Sequence, residues 1–248
     1  MRPLVIVPTY NERENVQRLV PQLLEIPDLR VLVVDDASPD GTGFAAEVLA
    51  EYSDGRVEVM HRIGRPRGLG NAYLDGIRRA LETDADVICQ MDADLSHQPA
   101  HLRDMLEAVR HADLVIGSRY VPGGRIVNWP LHRKLLSAGA NAYVRAICSI
   151  PVHDCTSGFR CWRRDALASL PLHRIDAEGY AFLVQLLYEA LAIGCTVSEV
   201  PITFVERERG QSKLRLRIMA ESAILPWKLA FPRTAAHVRD RSVAVTGR

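Results

Sequence analysis

The chain has 248 residues, of which 48% are hydrophobic and 25% are charged. This composition is typical of a globular protein, and the length is enough to bury a substantial core in one large α/β domain or two small domains. Because the net charge is only +1, no overall positive field favours nucleic acid as a partner.

The cysteines and the apolar segments indicate whether the chain binds zinc, carries a signal peptide or crosses a membrane. The five cysteines are scattered and form no C-x-x-C pair, so we interpret them as reduced thiols and expect no zinc site. Residues 1–8 contain too short an apolar run for a signal peptide. No uncharged apolar stretch approaches the ~20 residues of a membrane span. We therefore expect a chain that is soluble or lies on a membrane without crossing it.

Short apolar runs alternate with helix-length segments through the first half of the chain. The runs predicted as buried strands are Leu4–Val7, Val31–Val34, Val57–Met60, Val87–Cys89 and Leu114–Ile116. Between them, the sequence predicts helices over 13–25, 43–52, 70–82 and 100–110. Strands this apolar, separated by helices, indicate an α/β fold with a mostly parallel sheet that carries helices on both faces.

The pattern becomes less regular beyond about residue 125. The sequence predicts a helix over 131–147, a loop over 154–160, a helix over 179–193 and one strand over 196–204. No linker, repeat or low-complexity stretch interrupts the chain. We therefore predict a single domain over residues 1–234 with an irregular C-terminal extension, followed by a flexible tail over 235–248.

Polar and acidic residues follow several of the predicted strands. Tyr10 and Glu12 follow the first strand, Asp36 the second, Asp92 and Asp94 the fourth, and Arg119 the fifth. In a parallel sheet covered by helices, ligands bind beyond the carboxyl ends of the strands. The sequence therefore predicts a binding site at this edge of the sheet.

Asp92 and Asp94 place two carboxylates within three residues, directly after a buried strand. Like charges this close repel each other unless a cation lies between them. Two carboxylates together with substrate phosphates are a typical site for Mg²⁺ or Mn²⁺. The alternative is that one aspartate caps the next helix and the other is solvated. The acidic ends of the neighbouring strands favour the metal.

Three other acids have less certain roles. Asp40 stands in Ser-Pro-Asp-Gly, and we assign it to a turn. Asp36 either builds the same turn or accepts hydrogen bonds from a base or a ribose. Glu12 either lies at a helix start, where the helix dipole favours negative charge, or binds a ribose.

Several basic residues can converge on the same edge. Arg119 follows a strand directly, which is an unusual place for a merely solvated charge. Arg133 and Ser137 are four residues apart and so share one helix face, and Arg207 and Lys213 offer further donors. Guanidinium groups bind phosphate through two hydrogen bonds, so several of them beside a metal indicate more than one phosphate group.

Taken together, these motifs resemble the inverting family-2 glycosyltransferases of the GT-A fold. The segments that carry the resemblance are Pro8 to Glu12, Val33 to Thr42, Gly68 to Gly70, Asp92 to His97 and Gly117 to Tyr120. Within that family, the later segments resemble the polyprenyl-phosphate (dolichyl-phosphate) mannose synthases. These segments are Gly117 to Gly124, Arg133 to Asn141, Ser157 to Arg160, and Val200 to Phe204 with Arg207 to Lys213. The resemblance covers roughly residues 3–215.

The resemblance implies transfer of mannose from GDP-mannose to a polyprenyl phosphate, with Mg²⁺ or Mn²⁺. The nucleotide-sugar residues that it implies are Pro8, Tyr10, Glu12, Val34, Asp36, Asp92, Ala93, Asp94, Arg119, Arg207 and Lys213. The implied metal ligands are Asp92, Asp94 and Ser96. The implied ligands of the acceptor phosphate are Arg119, Arg133, Ser137 and Arg207. Of these residues, Asp94 and Arg119 are expected to be catalytic.

The lipid acceptor implies a place at the cytoplasmic face of a membrane, with room for a separate membrane-anchored subunit. Residues 214–231 combine apolar residues at helical spacing with Arg215, Arg217 and Lys228. Such a segment can lie in a membrane interface with its apolar face down. The alternative is an ordinary C-terminal helix packed on the sheet, kinked at Pro226. The neighbouring phosphate residues favour the interface.

One segment departs from the family pattern. Relatives often carry an acid at the end of a Gly-Tyr-x-Phe-Gln-x-Glu stretch, whereas Gly179 to Gln185 contains neither that Gln nor that Glu. Two rival functions stay open: a sister transferase that uses UDP-glucose, and a sugar-nucleotide-binding module without turnover. The intact Asp92, Asp94 and Arg119 favour an enzyme.

Overall fold

The protein is described by a computed structural model over residues 1–176, 179–206 and 216–231, with the backbone alone for residue 180 and residues 216–222. The strands in these ranges are β1 (Pro3–Thr9), β2 (Arg30–Asp35), β3 (Val57–His61), β4 (Val87–Gln90), β5 (Leu114–Ser118), β6 (Arg125–Val127), β7 (Arg160–Arg163), β8 (Val197–Pro201) and β9 (Thr203–Val205). The helices are α1 (Arg13–Leu24), α2 (Thr42–Glu51), α3 (Leu69–Glu82), α4 (His101–Ala108), α5 (Leu131–Cys148), α6 (Arg164–Ala168), α7 (Gly179–Ala192) and α8 (Leu216–Ala230).

The main sheet has seven strands in the order β3-β2-β1-β4-β7-β5-β8. Neighbouring strands pair in parallel except at β7, which runs antiparallel to both β4 and β5. The mostly parallel α/β sheet confirms the predicted fold class. The predicted strands and helices of the first half also agree with the observed bounds to within two residues.

Alternate residues of the central strands enter two separate cores, because successive side chains of a strand point to opposite faces. On one face, Ile6 and Val34 pack with residues of α3, α5, α7 and α8. On the other face, Val5 and Val33 pack with residues of α1, α2 and α4. Helices therefore cover both faces, as the sequence predicted.

Strand β7 was missed by the sequence analysis, which predicted a loop up to Arg160 and no strand after it. In the structure, Cys161 lies opposite Cys89 and Trp162 lies opposite Ile88. The Trp162 ring N–H also donates to Gln90 Oε1 at 2.9 Å. The strand has only four residues and an arginine at each end, so its sequence carries no clear apolar pattern. Pairing with distant strands forms it.

The single strand predicted over 196–204 is wrong. The segment forms two strands in different sheets, β8 beside β5 and β9 beside β6. The chain leaves the main sheet after Pro201, which has no amide N–H to donate. The Ile202 N–H donates to the Ser118 carbonyl, and the Arg125 N–H donates to the Ile202 carbonyl, each at 3.0 Å. Ile202 thereby joins the two sheets.

Helices α5 and α8 pack against each other, and both carry exposed apolar side chains. Along the whole of α5, Asn141 and Val144 are the buried residues, whereas Leu131, Leu135 and Leu136 are exposed by 70%, 64% and 63%. More than half of each of three apolar residues is exposed at the C-terminal end of α8 or directly after it: Ile224, Trp227 and Phe231. Among the described residues, no helix is both long enough and apolar enough to cross a membrane.

Candidate active site

The carboxyl ends of β1, β2 and β4 are joined directly by hydrogen bonds. The Asp36 N–H donates to the Thr9 carbonyl at 2.9 Å, and the Met91 N–H donates to the Ile6 carbonyl at 3.1 Å. The Thr9 hydroxyl reaches the Val34 carbonyl at 3.4 Å. The segments that begin after these strands, with Tyr10, Asp36 and Asp92, therefore start from one edge of the sheet.

The two-carboxylate segment after β4 forms a tight turn. Leu95 has a φ of +62°, a left-handed conformation that is unfavourable for a leucine and is often found at functional sites. This conformation brings the Ser96 N–H to Asp94 Oδ1 at 3.1 Å. The turn fixes the Asp94 carboxylate against the Ser96 backbone.

The Ser96 hydroxyl is buried and has no hydrogen-bond partner in the described part of the chain. A buried polar group without a partner is costly, and an oxygen ligand for a cation would satisfy it. The described residues contain no group of three or more His, Cys, Asp or Glu side chains that could hold a metal. A cation at this turn would have to take the carboxylates of Asp92 and Asp94, the Ser96 hydroxyl and oxygens from a bound substrate.

Asp92 is held from two sides by residues that the sequence analysis did not assign. Tyr73, on α3, donates its hydroxyl to Asp92 Oδ1 at 3.1 Å. Burial and the nearby Asp92 charge raise the pKa of Tyr73 well above its usual value, so the phenol stays protonated. On the other side, the Asp92 backbone N–H donates to Nδ1 of His97 at 3.2 Å.

His97 is buried and stays neutral at pH 7, because burial lowers its pKa despite the nearby Asp92 and Asp94. Since Nδ1 accepts a hydrogen bond, the ring proton is on Nε2. The ring stacks on Phe159, with centroids 5.0 Å apart, and meets the edge of Phe204 at 5.5 Å. The imidazole thus connects the carboxylate turn to Phe159, which directly precedes β7, and to Phe204 of β9.

Asp36 faces the expected edge but already has partners. Its Oδ1 accepts a short hydrogen bond from the Arg62 guanidinium, and its Oδ2 accepts the Gly68 N–H at 2.9 Å. Arg62 is buried as well and also donates to Asp75 at 2.8 Å. Asp36 therefore anchors the loop over residues 62–68. A nucleoside bound here would share an oxygen with this network.

The same loop brings a cation to the side chain of Tyr10. The Arg67 guanidinium carbon lies 4.8 Å from the centre of the Tyr10 ring, and Nη1 donates to the Tyr10 hydroxyl at 3.0 Å. Nη2 donates to the Ala37 carbonyl at 3.2 Å. Arg67 was not predicted as a site residue, although it directly precedes Gly68 to Gly70, one of the segments that carry the family resemblance.

Glu12 precedes α1, and its Oε2 accepts from the Asn15 side chain at 2.7 Å. The Glu12 N–H donates to the Thr42 hydroxyl at 3.0 Å, and that hydroxyl donates to Asp40. Burial alone would raise the Asp40 pKa, but hydrogen bonds from Thr42 and Arg13 lower it. Asp40 therefore builds the turn, as predicted.

Three predicted nucleotide residues, Pro8, Val34 and Ala93, are buried. Val34 and Ala93 belong to the two cores, and the Val34 carbonyl already accepts from Thr9. Because these side chains are apolar, a nucleotide could form hydrogen bonds here only with the backbone.

The Arg119 guanidinium, which was expected to serve ligands at the edge of the sheet, binds a carboxylate of the same chain. Its Nε and Nη2 donate to the two carboxylate oxygens of Asp154 at 2.7 Å each, and its backbone N–H donates to the same carboxylate at 3.0 Å. Nη2 also donates to the Thr156 hydroxyl at 2.9 Å. Both members of the pair are buried. In the structure, the bidentate partner of Arg119 is Asp154.

Arg133 and Ser137 do lie on one face of α5, as predicted from their spacing. Arg133 lies over the Trp129 ring at 4.0 Å and donates to Glu206 at 2.7 Å. The Ser137 hydroxyl accepts from the Tyr120 hydroxyl at 2.7 Å. Both residues therefore belong to the edge that carries Arg119 and Tyr120.

An aromatic cluster, Phe159, His97, Phe204 and Trp129, links the two halves of the site. Consecutive rings are 5.0, 5.5 and 5.3 Å apart. At one end, His97 accepts from the Asp92 backbone. At the other end, both Arg119 and Arg133 lie over Trp129. The cluster connects the carboxylate turn and the two arginines through ring contacts.

Two predicted residues, Arg207 and Lys213, lie outside the described residues. Gln185, where relatives carry an acid, is buried and donates its side-chain N–H to the Arg174 carbonyl at 2.9 Å. Its observed contact is therefore structural.

The residues that the sequence analysis missed in the site carried weak signals. Asp154 begins the loop predicted over 154–160, and His97 ends the resemblance segment that starts at Asp92, but neither residue was assigned a role. Tyr73 and Arg62 gave no signal, since a buried tyrosine on a helix and an arginine after a strand are common. Their roles depend on partners that are 13 to 26 residues away.

Comparison with known proteins adds the family. A family model described as "Glycosyl transferase family 2" matches residues 4–170. An undecaprenyl-phosphate mannosyltransferase of Micrococcus luteus is 47% identical over 233 residues, which are 93% of this chain and 95% of that protein. A polyprenol monophosphomannose synthase of Mycolicibacterium smegmatis is 49% identical over 215 residues, which are 86% of this chain and 81% of that protein.

Solved structures resemble the fold at lower sequence identity. Glucosyl-3-phosphoglycerate synthase from Mycobacterium tuberculosis, in complex with Mn²⁺, UDP and phosphoglyceric acid, aligns with a TM-score of 0.68 and 19% identity. The alignment covers 94% of this chain and 80% of that one. A second structure of that enzyme, with UDP, aligns with a TM-score of 0.64. At this identity the likeness concerns the fold alone.

Proposed function

The chain belongs to glycosyl transferase family 2, and we propose that it transfers mannose from GDP-mannose to a polyprenyl phosphate, giving polyprenyl phosphate mannose and GDP. Its sheet and helices form the GT-A fold of its structural neighbours. The two relatives at 47% and 49% identity are named for mannose transfer to polyprenyl lipids, which supports the mannosyl group and the lipid acceptor.

The proposed chemistry needs no separate general base. A phosphate monoester has its second pKa near ~6, so the acceptor oxygen is mostly deprotonated at neutral pH. That oxygen attacks C1 of the mannose, the bond between C1 and the GDP oxygen breaks, and the configuration at C1 inverts. The enzyme has to bring two anionic phosphate groups together, which positive charge makes possible.

For the donor, we propose that Asp92, Asp94 and Ser96 hold Mg²⁺ or Mn²⁺ and that Asp36, Tyr10 and Glu12 surround the nucleoside. When bound, the metal stabilises negative charge on the departing diphosphate. The buried hydroxyl of Ser96, which has no partner among the described residues, supports the cation. A structural neighbour was solved with Mn²⁺ and UDP. That ion is a property of the neighbour, with which this chain shares the fold.

For the acceptor phosphate, we propose Arg133 and Ser137, with Arg207 as a further contact from outside the described residues. Lys213, which also lies outside them, is proposed to bind the nucleotide sugar. Arg119 contributes positive charge at the same place, although two of its guanidinium nitrogens donate to Asp154. The observation that carries the proposal is the aromatic cluster from His97 to Trp129. The cluster joins the carboxylate turn, proposed for the donor, to the arginines, proposed for the acceptor. The donor and acceptor phosphates have to come together for the transfer, so their two sites have to be neighbours.

We also propose that the enzyme works at the cytoplasmic face of a membrane, with a membrane-anchored subunit as a candidate partner. The exposed leucines of α5 and the exposed Ile224 and Trp227 of α8 form an apolar surface on helices that contact each other. Trp227 donates to the Tyr143 hydroxyl at 2.7 Å across this contact. Arg133 and Lys134 lie on the same helix as the leucines, and α5 contains no acidic residue.

A donor panel tests the proposed activity. The full chain is incubated with GDP-mannose, GDP-glucose or UDP-glucose, a short polyprenyl phosphate and Mg²⁺ or Mn²⁺, and labelled lipid is measured. We expect product from GDP-mannose. Product from UDP-glucose instead would establish the sister transferase. Donor binding without any product would indicate a binding module. The matched control is Asp94→Ala, which should form no product while binding of the lipid is retained.

A further inference from the structure

The Asp92 carboxylate has a partner that comes from a helix on one face of the sheet. Tyr73 is fully buried on α3, and its hydroxyl donates to Asp92 Oδ1 at 3.1 Å. The Tyr73 ring stacks on Phe182 of α7, with centroids 5.9 Å apart and planes within 2° of parallel. The stacking fixes the position of the ring and therefore the position of its hydroxyl.

The backbone of Asp92 is fixed separately. Its N–H donates to Nδ1 of His97, and the His97 ring is packed between Phe159 and Phe204. With the backbone fixed, the direction of the carboxylate depends on the torsion angles of its side chain. The contact of Tyr73 with Oδ1 selects one of those orientations, because the phenol hydroxyl stands at a fixed point.

We infer that Tyr73 is a positioning residue that orients the Asp92 carboxylate toward the bound cation. A cation bound at this turn would then be held by a carboxylate whose direction is fixed by the phenol hydrogen bond at Oδ1. Partners behind a metal ligand fix its orientation and raise the affinity for the metal, and their loss typically lowers that affinity by 10- to 100-fold. The inference rests on the proposed metal role of Asp92 and extends it to a residue of α3.

The test is Tyr73→Phe, which removes the hydroxyl and keeps the ring against Phe182. Binding of Mn²⁺ to the full chain is measured by the electron paramagnetic resonance signal of the free ion, with and without GDP. We expect the dissociation constant for Mn²⁺ to rise by about 10- to 100-fold. The matched control is Tyr188→Phe, since the Tyr188 hydroxyl donates to the Leu229 carbonyl at 3.0 Å, between α7 and α8. Its Mn²⁺ affinity should stay at the wild-type value.

Melting temperatures without metal separate positioning from a general loss of structure. We expect similar shifts for Tyr73→Phe and Tyr188→Phe. In an Asp92→Asn background, Tyr73→Phe should weaken Mn²⁺ binding much less than in the wild type, because the two residues act as one unit. An equal effect in both backgrounds would overturn the inference.

Two negative outcomes have different meanings. If the wild type binds Mn²⁺ and Tyr73→Phe binds it within twofold as tightly, the role of Tyr73 is wrong and the proposed function stands. If the wild type binds no Mn²⁺ even with GDP, the metal assignment in the proposed function fails, and the role of Tyr73 fails with it.

Discussion

The carboxylate of Asp154 binds the guanidinium of Arg119 through two hydrogen bonds of 2.7 Å, and both side chains are buried. The loop that carries Asp154 is itself held by β8, because Glu199 accepts from the backbone N–H groups of His153 and Asp154 at 2.8 and 3.0 Å. A chain of contacts therefore runs from an outer strand to Arg119. The position of this arginine, which directly follows β5, therefore depends on the neighbouring edge strand β8.

Replacing Asp154 with asparagine should destabilise the protein and abolish transfer. The variant leaves the buried Arg119 charge without its counter-charge, which costs about 3–5 kcal/mol of unfolding free energy. Urea unfolding with a matched activity assay measures both effects. The control is Glu107→Gln, which breaks the exposed pair with Arg110 and should cost less than about 1 kcal/mol. Similar losses in the two variants would contradict the importance of the buried pair.

Asp94→Ala should abolish metal-dependent transfer and leave the melting temperature of the metal-free protein nearly unchanged. Asp94 is only partly buried in a turn at the edge of the sheet, so its loss removes no core contact. Turnover is measured across a range of Mg²⁺ and Mn²⁺ concentrations, with the exposed Asp104→Ala on α4 as the control. Near-full turnover of the Asp94 variant would show that the metal assignment is wrong.

Arg133→Ala should raise the KM for polyprenyl phosphate by about tenfold or more, since a charge-assisted hydrogen bond contributes ~1.5–3 kcal/mol. The KM for GDP-mannose should change little. Lys134→Ala is the matched control, because this neighbouring cation has none of the contacts to Trp129 and Glu206 that Arg133 makes. Initial rates with each substrate varied in turn distinguish the two constants. Equal effects of the two substitutions would argue against an acceptor role for Arg133.

Ile224→Glu combined with Trp227→Glu should weaken binding to anionic liposomes and transfer to a long-chain acceptor, while transfer to a short, water-soluble acceptor survives. Charged residues at the apolar surface of α8 oppose insertion into the membrane interface. Binding is measured by flotation with vesicles.

The control for this surface is Phe44→Glu with Tyr52→Glu, at and beside α2. These two residues are exposed by 68% and 83%, and α2 packs on the opposite face of the sheet from α8. The control should bind vesicles like the wild type. If the α8 variant instead loses activity toward both acceptors together with its melting temperature, the segment belongs to the core.

Lowering the pH below about 6.5 should reduce the unfolding free energy, partly through His101. Its Nε2 accepts the Thr203 N–H at 2.9 Å, and a protonated ring cannot accept it. Burial lowers the His101 pKa, opposed by Asp104 and assisted by Arg125. In this pH range His101 therefore binds a proton in the unfolded chain but not in the folded chain, so the unfolding free energy falls as the pH falls. His101→Gln, which keeps an acceptor, should reduce this slope in urea unfolding between pH 7.5 and 5.5.

Local sequence determined much of the framework. The first five strands, β1 to β5, were predicted because each is a continuous apolar run. The helices between them were predicted because their apolar residues recur at helical spacing. The carboxyl-edge positions of Asp36, Asp92, Asp94 and Arg119 followed from the parallel sheet. The spacing of Arg133 and Ser137 placed them on one face. These features depend on residues close together in the chain.

Only the tertiary structure decided which strands pair and which side chains contact each other across long stretches of sequence. β7 forms because Cys161 and Trp162 pair with strands far away in sequence, and the strand predicted over 196–204 divides because Ile202 bonds to two sheets. Asp154 binds Arg119, and Tyr73 holds Asp92, through contacts that no local pattern contains. Hydrophobic periodicity specifies which face of an element is buried. It does not specify which side chain, 19 or 35 residues distant, will meet a given carboxylate or guanidinium.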